Sequence, residues 1–129
     1  PYGIIVMYES LNHTESVFGL RIREGADLVK KINRPNLKIV FDIYHMAMEQ
    51  EDIQELEYAL PYVHHIHIAE RRYPSDALYD YYKKLLTPVI RSGYQGAICT
   101  EAFDGDVREG AERSIDLLKK IVAEIEQEG

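Results

Sequence analysis

Four short segments along the chain are rich in Ile and Val and are bounded by Gly, Pro, Asn or Asp, which favour turns. They cover residues 3–8, 37–41, 63–68 and 96–100. Apolar runs of this length between turn residues are typical of buried strands. The pattern therefore predicts four strands.

Four further segments follow these strands, and each places its apolar side chains at the three- and four-residue spacing of a helix. They cover residues 24–33, 51–62, 76–93 and 108–129. Pro61 ends the second segment, and Gly93 ends the third. Because strand and helix alternate four times, the sequence predicts an α/β fold with a parallel sheet and right-handed crossovers.

The size and charge of the chain narrow the classes of protein to which it can belong. Its 129 residues contain no linker-like segment, which predicts a single domain over residues 1–129. The formal net charge of -7 argues against nucleic-acid and anionic-membrane partners, because both favour a basic surface. Apolar stretches are all shorter than a membrane span, and no basic segment followed by an apolar one indicates a secretory signal.

Cys99 is the only cysteine in the sequence, so the chain cannot form an internal disulfide. Its apolar neighbours predict a buried, unreactive thiol, and this cysteine usage fits a reducing, cytoplasmic compartment. The chain begins directly on an apparent strand and without Met, which suggests a piece of something longer.

Each predicted strand ends at a residue that can bind a metal ion. Glu9, Asp42 and Glu101 follow the first, second and fourth strands, and His67 lies at the end of the third. The carboxyl ends of parallel strands meet at one edge, where sites form in open α/β sheets and in barrels alike. Three carboxylates gathered there would repel one another unless a cation lay between them. Oxygen-rich ligation with one nitrogen suits Mn²⁺, Mg²⁺ or Co²⁺.

Each of these residues also has an ordinary structural interpretation. A single acidic residue after a strand is usually a helix cap or a turn former, and a histidine cluster can belong to the core. On a strand His65 and His67 share one face while His64 points the other way, so His67 is the better ligand and His65 a supporting residue. Four suitable residues at four strand ends favour one shared metal site over four coincidences.

Four stretches that contain these residues resemble a known family. "YESLNHTE", "FDIYHMAMEQEDI", "VHHIHIAERR" and "GYQGAICTEAF" are similar to the sugar isomerase/epimerase family that includes D-tagatose 3-epimerase, within the xylose isomerase-like TIM barrels. "FDIYHM" followed by "EQEDI" is the most specific of them. The resemblance covers the whole chain but only the C-terminal half of a family member, and it implies strands five to eight of a (β/α)8 TIM barrel.

The resemblance implies roles for individual residues. A divalent metal ion, here Mn²⁺ with Mg²⁺ or Co²⁺ as alternatives, is held by a Glu, an Asp, a His and a Glu at four strand ends. The matching residues are Glu9, Asp42, His67 and Glu101, and the two glutamates are also the catalytic acid/base pair. The matching substrate-binding residues are Glu15, His45 on the loop beyond the second strand, and Arg71, with Arg72 as the alternative.

The implied activity is metal-dependent isomerisation or epimerisation of a ketose. A proton is removed next to the carbonyl, an enediolate forms, and the proton returns from the other side. The family's Pro after the first Glu is replaced by Ser10, and its Gly-rich stretch beyond the Arg is replaced by "PSDALYD". Because that loop shapes the substrate pocket, the identity of the sugar stays open, and the sequence shows no Gly-rich phosphate cradle.

Other functions remain possible at this stage. Hydroxypyruvate isomerase-like and inosose dehydratase-like reactions share the scaffold and the enolisation step. Cleavage of the endonuclease IV type would need more His ligands and a basic surface, which the net charge disfavours. A half-barrel leaves open strand edges, which predicts a homo-oligomer or pairing with an N-terminal half, and a non-catalytic half-barrel module is the alternative to an enzyme.

Overall fold

The computed structural model describes residues 2–72, 74–104 and 106–129, with the side chains of residues 71, 72, 103 and 104 outside the described part. Strands and helices alternate along the chain, as predicted. The elements are β1 (Val6–Glu9), α1 (Ile22–Ile32), β2 (Leu37–Asp42), α2 (Ile43–Met48), α3 (Ile53–Ala59), a 3₁₀ turn (Leu60–Tyr62), β3 (Val63–Arg72), a second 3₁₀ turn (Asp76–Leu78), α4 (Tyr79–Arg91), β4 (Ala97–Asp104) and α5 (Val107–Gln127).

The strands form a four-stranded sheet in the order β1-β2-β3-β4. β1 pairs with β2, and β2 pairs with β3, in parallel. The register places Glu9 beside Val40 and Asp42 beside His67, so the carboxyl ends of β1 and β2 lie beside the middle of β3, which continues to Arg72. This arrangement confirms the predicted α/β fold with parallel strands.

The chain divides into two compact units, one made of the residues up to His67 with Gly96–Cys99 and the other of Ile68–Gln95 with Thr100–Gly129. In the first unit α1 packs against β1, β2 and α3. The Arg23 guanidinium pairs with the Glu55 carboxylate and lies over the Tyr58 ring, 4.0 Å from its centroid. These contacts fix α1 and α3 beside the strands whose ends carry the acidic residues.

In the second unit α4 packs against α5. The buried residues of this interface include Leu86 and Val89 on α4 and Ile121 and Ile125 on α5. Lys83 on α4 donates to Glu128 at 2.7 Å and to Glu124 at 3.1 Å. Among the described residues, none of the helices is both long enough and apolar enough to cross a membrane.

Gly25 permits a close approach between α1 and β1. A Cβ added at this position would lie 2.9 Å from Cε1 and 3.0 Å from Cδ1 of Tyr8, so the helix and the strand would have to separate. We expect Gly25→Ala to lower the free energy of unfolding by about 1–3 kcal/mol, although Gly→Ala in an open helix usually stabilises by about 1 kcal/mol. Urea denaturation measures the change, with exposed Glu24→Ala in the same helix as the control. If Gly25→Ala is as stable as the wild type, the space between Gly25 and the Tyr8 ring accommodates a methyl group.

Three expectations differ from the structure. β3 and β4 each extend four residues past their predicted ends, to Arg72 and Asp104, so His67 and Glu101 lie within strands and not at their ends. α2 was not predicted, and its six residues place His45 in a helix instead of a loop. The prediction that Cys99 is buried is wrong, because its side chain is exposed. Alternate residues of a strand share one face, and on β4 Ala97, Cys99 and Glu101 are all exposed in the described chain. An apolar run therefore identified the strand correctly but did not tell which face is covered.

Candidate active site

Glu9 and Asp42, the last residues of β1 and β2, lie together with His67 in the middle of β3. Each offers one ligand atom, and these atoms all lie within 4.8 Å of one another. Asp42 and His67 are direct neighbours in the register, and Glu9 is the neighbour of Val40, two residues before Asp42. Because residues two apart on a strand share a face, all three side chains project from the same face of the sheet.

Asp42 uses its two carboxylate oxygens differently. Its Oδ1 accepts a hydrogen bond of 2.7 Å from the backbone N–H of Tyr44 and so caps the first turn of α2. Its Oδ2 lies 3.6 Å from Nδ1 of His67. The Asp42 side chain is almost fully buried, so the helix cap fixes the carboxylate and leaves one oxygen directed at the cluster.

The spacing within the cluster suits a divalent cation. Nδ1 of His67 lies 3.5 Å from Oε1 of Glu9 and 3.6 Å from Oδ2 of Asp42. Ligand atoms that each lie about 2.1 Å from an octahedral cation are separated by roughly 3–4 Å. The donor set of two carboxylates and one imidazole also matches the preferences of Mn²⁺, Mg²⁺ and Co²⁺. The residues present therefore fit such an ion.

The two carboxylates give the cluster a strongly negative electrostatic potential. Hydrogen bonding of the His67 ring to the carboxylate acceptors of Asp42 and then Glu9 raises the pKa of His67 to about 10, against a smaller opposing effect of burial. The ring of His65 packs edge-on against that of His67 with 4.9 Å between centroids, and burial lowers the pKa of His65. The negative field that favours a proton on His67 is the field that would attract a cation.

A second group of polar residues comes from the loop after β1 and from α2. His45 is buried, and its Nδ1 lies 2.9 Å from the side-chain Nδ2 of Asn12 and 3.2 Å from the backbone N of Asn12. The same Asn12 Nδ2 donates to Oε1 of Glu15 at 2.8 Å. The structure thus brings together the two predicted substrate-binding residues His45 and Glu15. Asn12, which sequence reasoning missed, connects them.

Ser10 directly follows Glu9 and is buried. Its hydroxyl donates to the backbone carbonyl of Arg21 at 3.0 Å, at the start of α1. Beside it, the Glu51 carboxylate accepts the backbone N–H of Ile22 at 3.0 Å and so supplies a cap for α1 from a distant part of the chain. The first contact holds the loop after β1 against the start of α1, and the second joins α1 to the segment after α2.

Glu51 is expected to make the stability of the chain depend on pH. Burial raises the pKa of Glu51 to about 7, although the Ile22 N–H and Arg21 oppose the shift and Glu55 and Glu49 add to it. The pKa of Glu51 in the folded chain is higher than its ordinary value of 4.5. Glu51 therefore contributes fully to the stability of the fold below pH 4.5, and this contribution is lost as the pH rises through 7.

We therefore expect Glu51→Gln to be as stable as the wild type at pH 5 and more stable at pH 8. The difference at pH 8 is on the order of 1 kcal/mol, since the side chain is only half-buried and water screens part of the effect. Thermal unfolding of both proteins between pH 5 and 8 measures it, with exposed Glu57→Gln as the control. If the unfolding temperatures of Glu51→Gln and the wild type depend on pH in the same way, Glu51 is not the cause of the pH dependence.

Glu101, Arg71 and Arg72 are the remaining predicted site residues. Glu101 is exposed on β4 in the second of the two units, so its place as the fourth ligand stays a prediction. Arg71 belongs to β3 by its backbone, but its side chain and that of Arg72 lie outside the described residues. Their roles in substrate binding therefore remain expectations.

Comparison with known proteins gives a consistent result. A family model described as "Xylose isomerase-like TIM barrel" matches residues 1–121. A ketose 3-epimerase of Arthrobacter globiformis is 33% identical over 109 residues, which are 81% of this chain and 37% of that protein. A D-psicose 3-epimerase of Ruminiclostridium cellulolyticum is 28% identical over 104 residues, which are 78% of this chain and 35% of that protein. The chain thus spans little more than a third of the length of these relatives.

Solved structures agree on the fold. A structure of L-ribulose 3-epimerase superposes with a TM-score of 0.84 at 16% identity, over 98% of this chain and 50% of that one. A structure of the IolI protein with a zinc atom gives a TM-score of 0.75 at 18% identity, over 97% of this chain and 51% of that one. The parallel strands, the cluster at their carboxyl ends and these matches together lead to one conclusion: the chain belongs to the xylose isomerase-like TIM barrel family.

Proposed function

We propose that this chain carries the metal-binding and part of the substrate-binding site of a sugar epimerase that acts on a ketose. The observation that supports this most strongly is the convergence of Glu9, Asp42 and His67 from three adjacent strands. The ketose 3-epimerase relative at 33% identity supports the substrate class. Because the chain covers about a third of such relatives, we further propose that the active assembly includes a second copy or a complementary half-barrel.

Glu9, Asp42 and His67 would hold a divalent cation in this proposal, with Glu101 as the fourth ligand and Mn²⁺ as the first choice of ion. A bound ion of this kind would polarise the substrate carbonyl and so acidify the neighbouring C–H bond. The cation site and the hydrogen-bonding group at His45 lie in the same unit, on β1 and β2 and the segments that follow them.

The chain's own residues would carry out the proton transfers. One of Glu9 and Glu101 removes the proton next to the carbonyl as a carboxylate, and the other, as a carboxylic acid, returns a proton to the opposite face of the carbon. His45, Glu15 and Arg71 orient the substrate hydroxyl groups. Hydrogen-bond donors placed at the reacting oxygens favour the negative charge that develops there.

A substrate panel with metal removal and replacement tests this proposal. The purified chain is incubated in deuterated water with D-psicose, D-tagatose, L-ribulose, hydroxypyruvate or inosose, and deuterium uptake at carbon is followed by NMR. We expect uptake with a ketose, loss of uptake after chelation and recovery with Mn²⁺. Uptake that chelation does not affect would exclude the metal-dependent mechanism, and uptake with hydroxypyruvate or inosose alone would favour the related reactions.

A non-catalytic half-barrel is the alternative of a different class. It predicts that the chain gives no deuterium uptake with any of these substrates, even when Mn²⁺ is bound and the solution mass shows an assembly. Sedimentation together with metal analysis on the same sample separates the two functions. A metal-bound assembly with uptake supports the epimerase, and a metal-free monomer without uptake supports the module.

A further inference from the structure

Asn12 is a fully buried polar residue whose hydrogen-bonding groups are all used. Its Oδ1 accepts from the backbone N–H of Thr14 at 2.9 Å and from the Thr14 hydroxyl at 2.5 Å. Its backbone carbonyl accepts from the N–H groups of Glu15 and Ser16, both at 3.0 Å. Its Nδ2 lies between Glu15 and His45, at 2.8 Å and 2.9 Å. A buried polar network of this completeness holds its members in one arrangement.

The orientation of the Asn12 amide follows from its neighbours. The backbone N–H of Thr14 can only donate, so the atom that faces it must be the amide oxygen. The Glu15 carboxylate, when ionised, can only accept, so the atom that faces it must be the amide nitrogen. Both ends of the amide therefore specify the same orientation, and Nδ2 presents its second N–H to His45.

This orientation determines which nitrogen of His45 carries a proton. Nδ1 of His45 faces two N–H donors, the side chain of Asn12 at 2.9 Å and the backbone of Asn12 at 3.2 Å. Because neither donor can accept a proton, Nδ1 has to be the unprotonated acceptor of the neutral ring. The hydrogen of the neutral imidazole then lies on Nε2, so the free edge of the ring is a hydrogen-bond donor.

We propose that Asn12 is a positioning residue that fixes His45 as an Nε2–H donor and holds Glu15 beside it. This inference rests on the proposed function at one point only: the acceptor for the His45 Nε2–H is taken to be an oxygen of the sugar. The chemistry predicts that His45 recognises an acceptor, such as a carbonyl oxygen or a hydroxyl oxygen, and rejects a group that can only donate. A purely structural role for Asn12 in the turn after β1 is the competing interpretation.

The first test measures the tautomer directly and needs no substrate. The chain, labelled with ¹⁵N in its five histidines, is studied by long-range ¹H–¹⁵N NMR at pH 8, and the His45 signals are assigned from their loss in His45→Gln. We expect an unprotonated Nδ1 and a protonated Nε2. A proton on Nδ1 of His45 in the wild-type chain would overturn the proposal, even if every Asn12 variant failed to fold.

The second test replaces the side-chain donor by an acceptor of similar shape. Asn12→Asp keeps an oxygen for Thr14 but presents a charged carboxylate oxygen to His45, so Nδ1 should gain a proton and turn away from the backbone N–H of residue 12, and the Glu15 carboxylate should move away from the new charge. Thr14→Val removes the hydroxyl contact in the same turn, and Asn36→Asp makes the same chemical change at an exposed asparagine. Neither control should alter the His45 spectrum. An unchanged spectrum in folded Asn12→Asp, or the same change in Thr14→Val, would assign Asn12 a structural role only.

Kinetics separates this proposal from the proposed function. With a ketose substrate, Asn12→Asp should lower kcat/KM at least tenfold, while Thr14→Val changes it less than threefold. If the tautomer is as expected and a metal-bound assembly of the wild-type chain shows no turnover, the proposed function fails and the positioning role stands. If turnover is present and Asn12→Asp retains wild-type kcat/KM with an altered tautomer, His45 does not act through Nε2–H.

Discussion

Replacing Asp42 with Asn is expected to weaken divalent cation binding at least a hundredfold without unfolding the chain. Oδ1 of the new amide would keep the hydrogen bond from the Tyr44 N–H, because that N–H can only donate. The amide NH₂ would then face His67 and Glu9, where Oδ2 of Asp42 now lies 3.6 Å from the His67 ring. A ligand oxygen and one negative charge are both lost, and a donor is directed at the cation position.

Calorimetric titration with Mn²⁺ measures the affinity, and circular dichroism checks the fold. Asp52→Asn is a matched control, because Asp52 caps α3 through an equivalent bond of 3.1 Å from the Gln54 N–H. The control should bind Mn²⁺ like the wild type. Equal Mn²⁺ affinity for Asp42→Asn and the wild type would remove Asp42 from the set of ligands.

Glu101→Gln is expected to stop proton exchange at the reacting carbon while the fold is kept. The amide has nearly the same shape as the carboxylate but cannot accept or deliver the proton at neutral pH, and loss of a general acid/base group costs about 10²–10⁴-fold in rate. Because Glu101 is exposed, the substitution should change the free energy of unfolding little.

Deuterium uptake by a ketose in deuterated water measures this effect at saturating Mn²⁺, so that weaker metal binding does not limit the rate. Glu126→Gln, an exposed glutamate on α5, is the control and should exchange at the wild-type rate. Uptake by Glu101→Gln at the wild-type rate would show that another group transfers the proton.

The strands and three of the proposed ligands could be predicted because both depend on local pattern and topology. An apolar run bounded by turn residues identifies a strand, and parallel strands necessarily bring their carboxyl ends to one edge. Glu9 and Asp42 follow from these two facts, and His67 was chosen from the neighbouring histidines by the alternation of side chains along β3, although that strand continues to Arg72. α2 could not be predicted in the same way, since its six residues form less than two helical turns and Asp42, at the end of β2, is also its cap.

The contacts that support the site could not be predicted, because they join segments far apart in sequence. Asn12 meets His45 across 33 positions and Glu51 meets the Ile22 N–H across 29. Nothing in the local sequence distinguishes Asn12 from an ordinary turn asparagine, although the spacing of Asn12 and Thr14 is typical of an Asx turn. Cys99 illustrates the same limit, because its exposure depends on what covers β4 and not on its apolar neighbours.

Anomalous scattering from a crystal of the chain soaked in Mn²⁺ would show whether Glu9, Asp42 and His67 bind one ion. We expect one strong peak within coordinating distance of Oε1 of Glu9, Oδ2 of Asp42 and Nδ1 of His67. The peak should disappear in crystals of Asp42→Asn soaked in the same way. A peak bound elsewhere, or no peak at Mn²⁺ concentrations that support deuterium uptake, would exclude these three residues as the metal site.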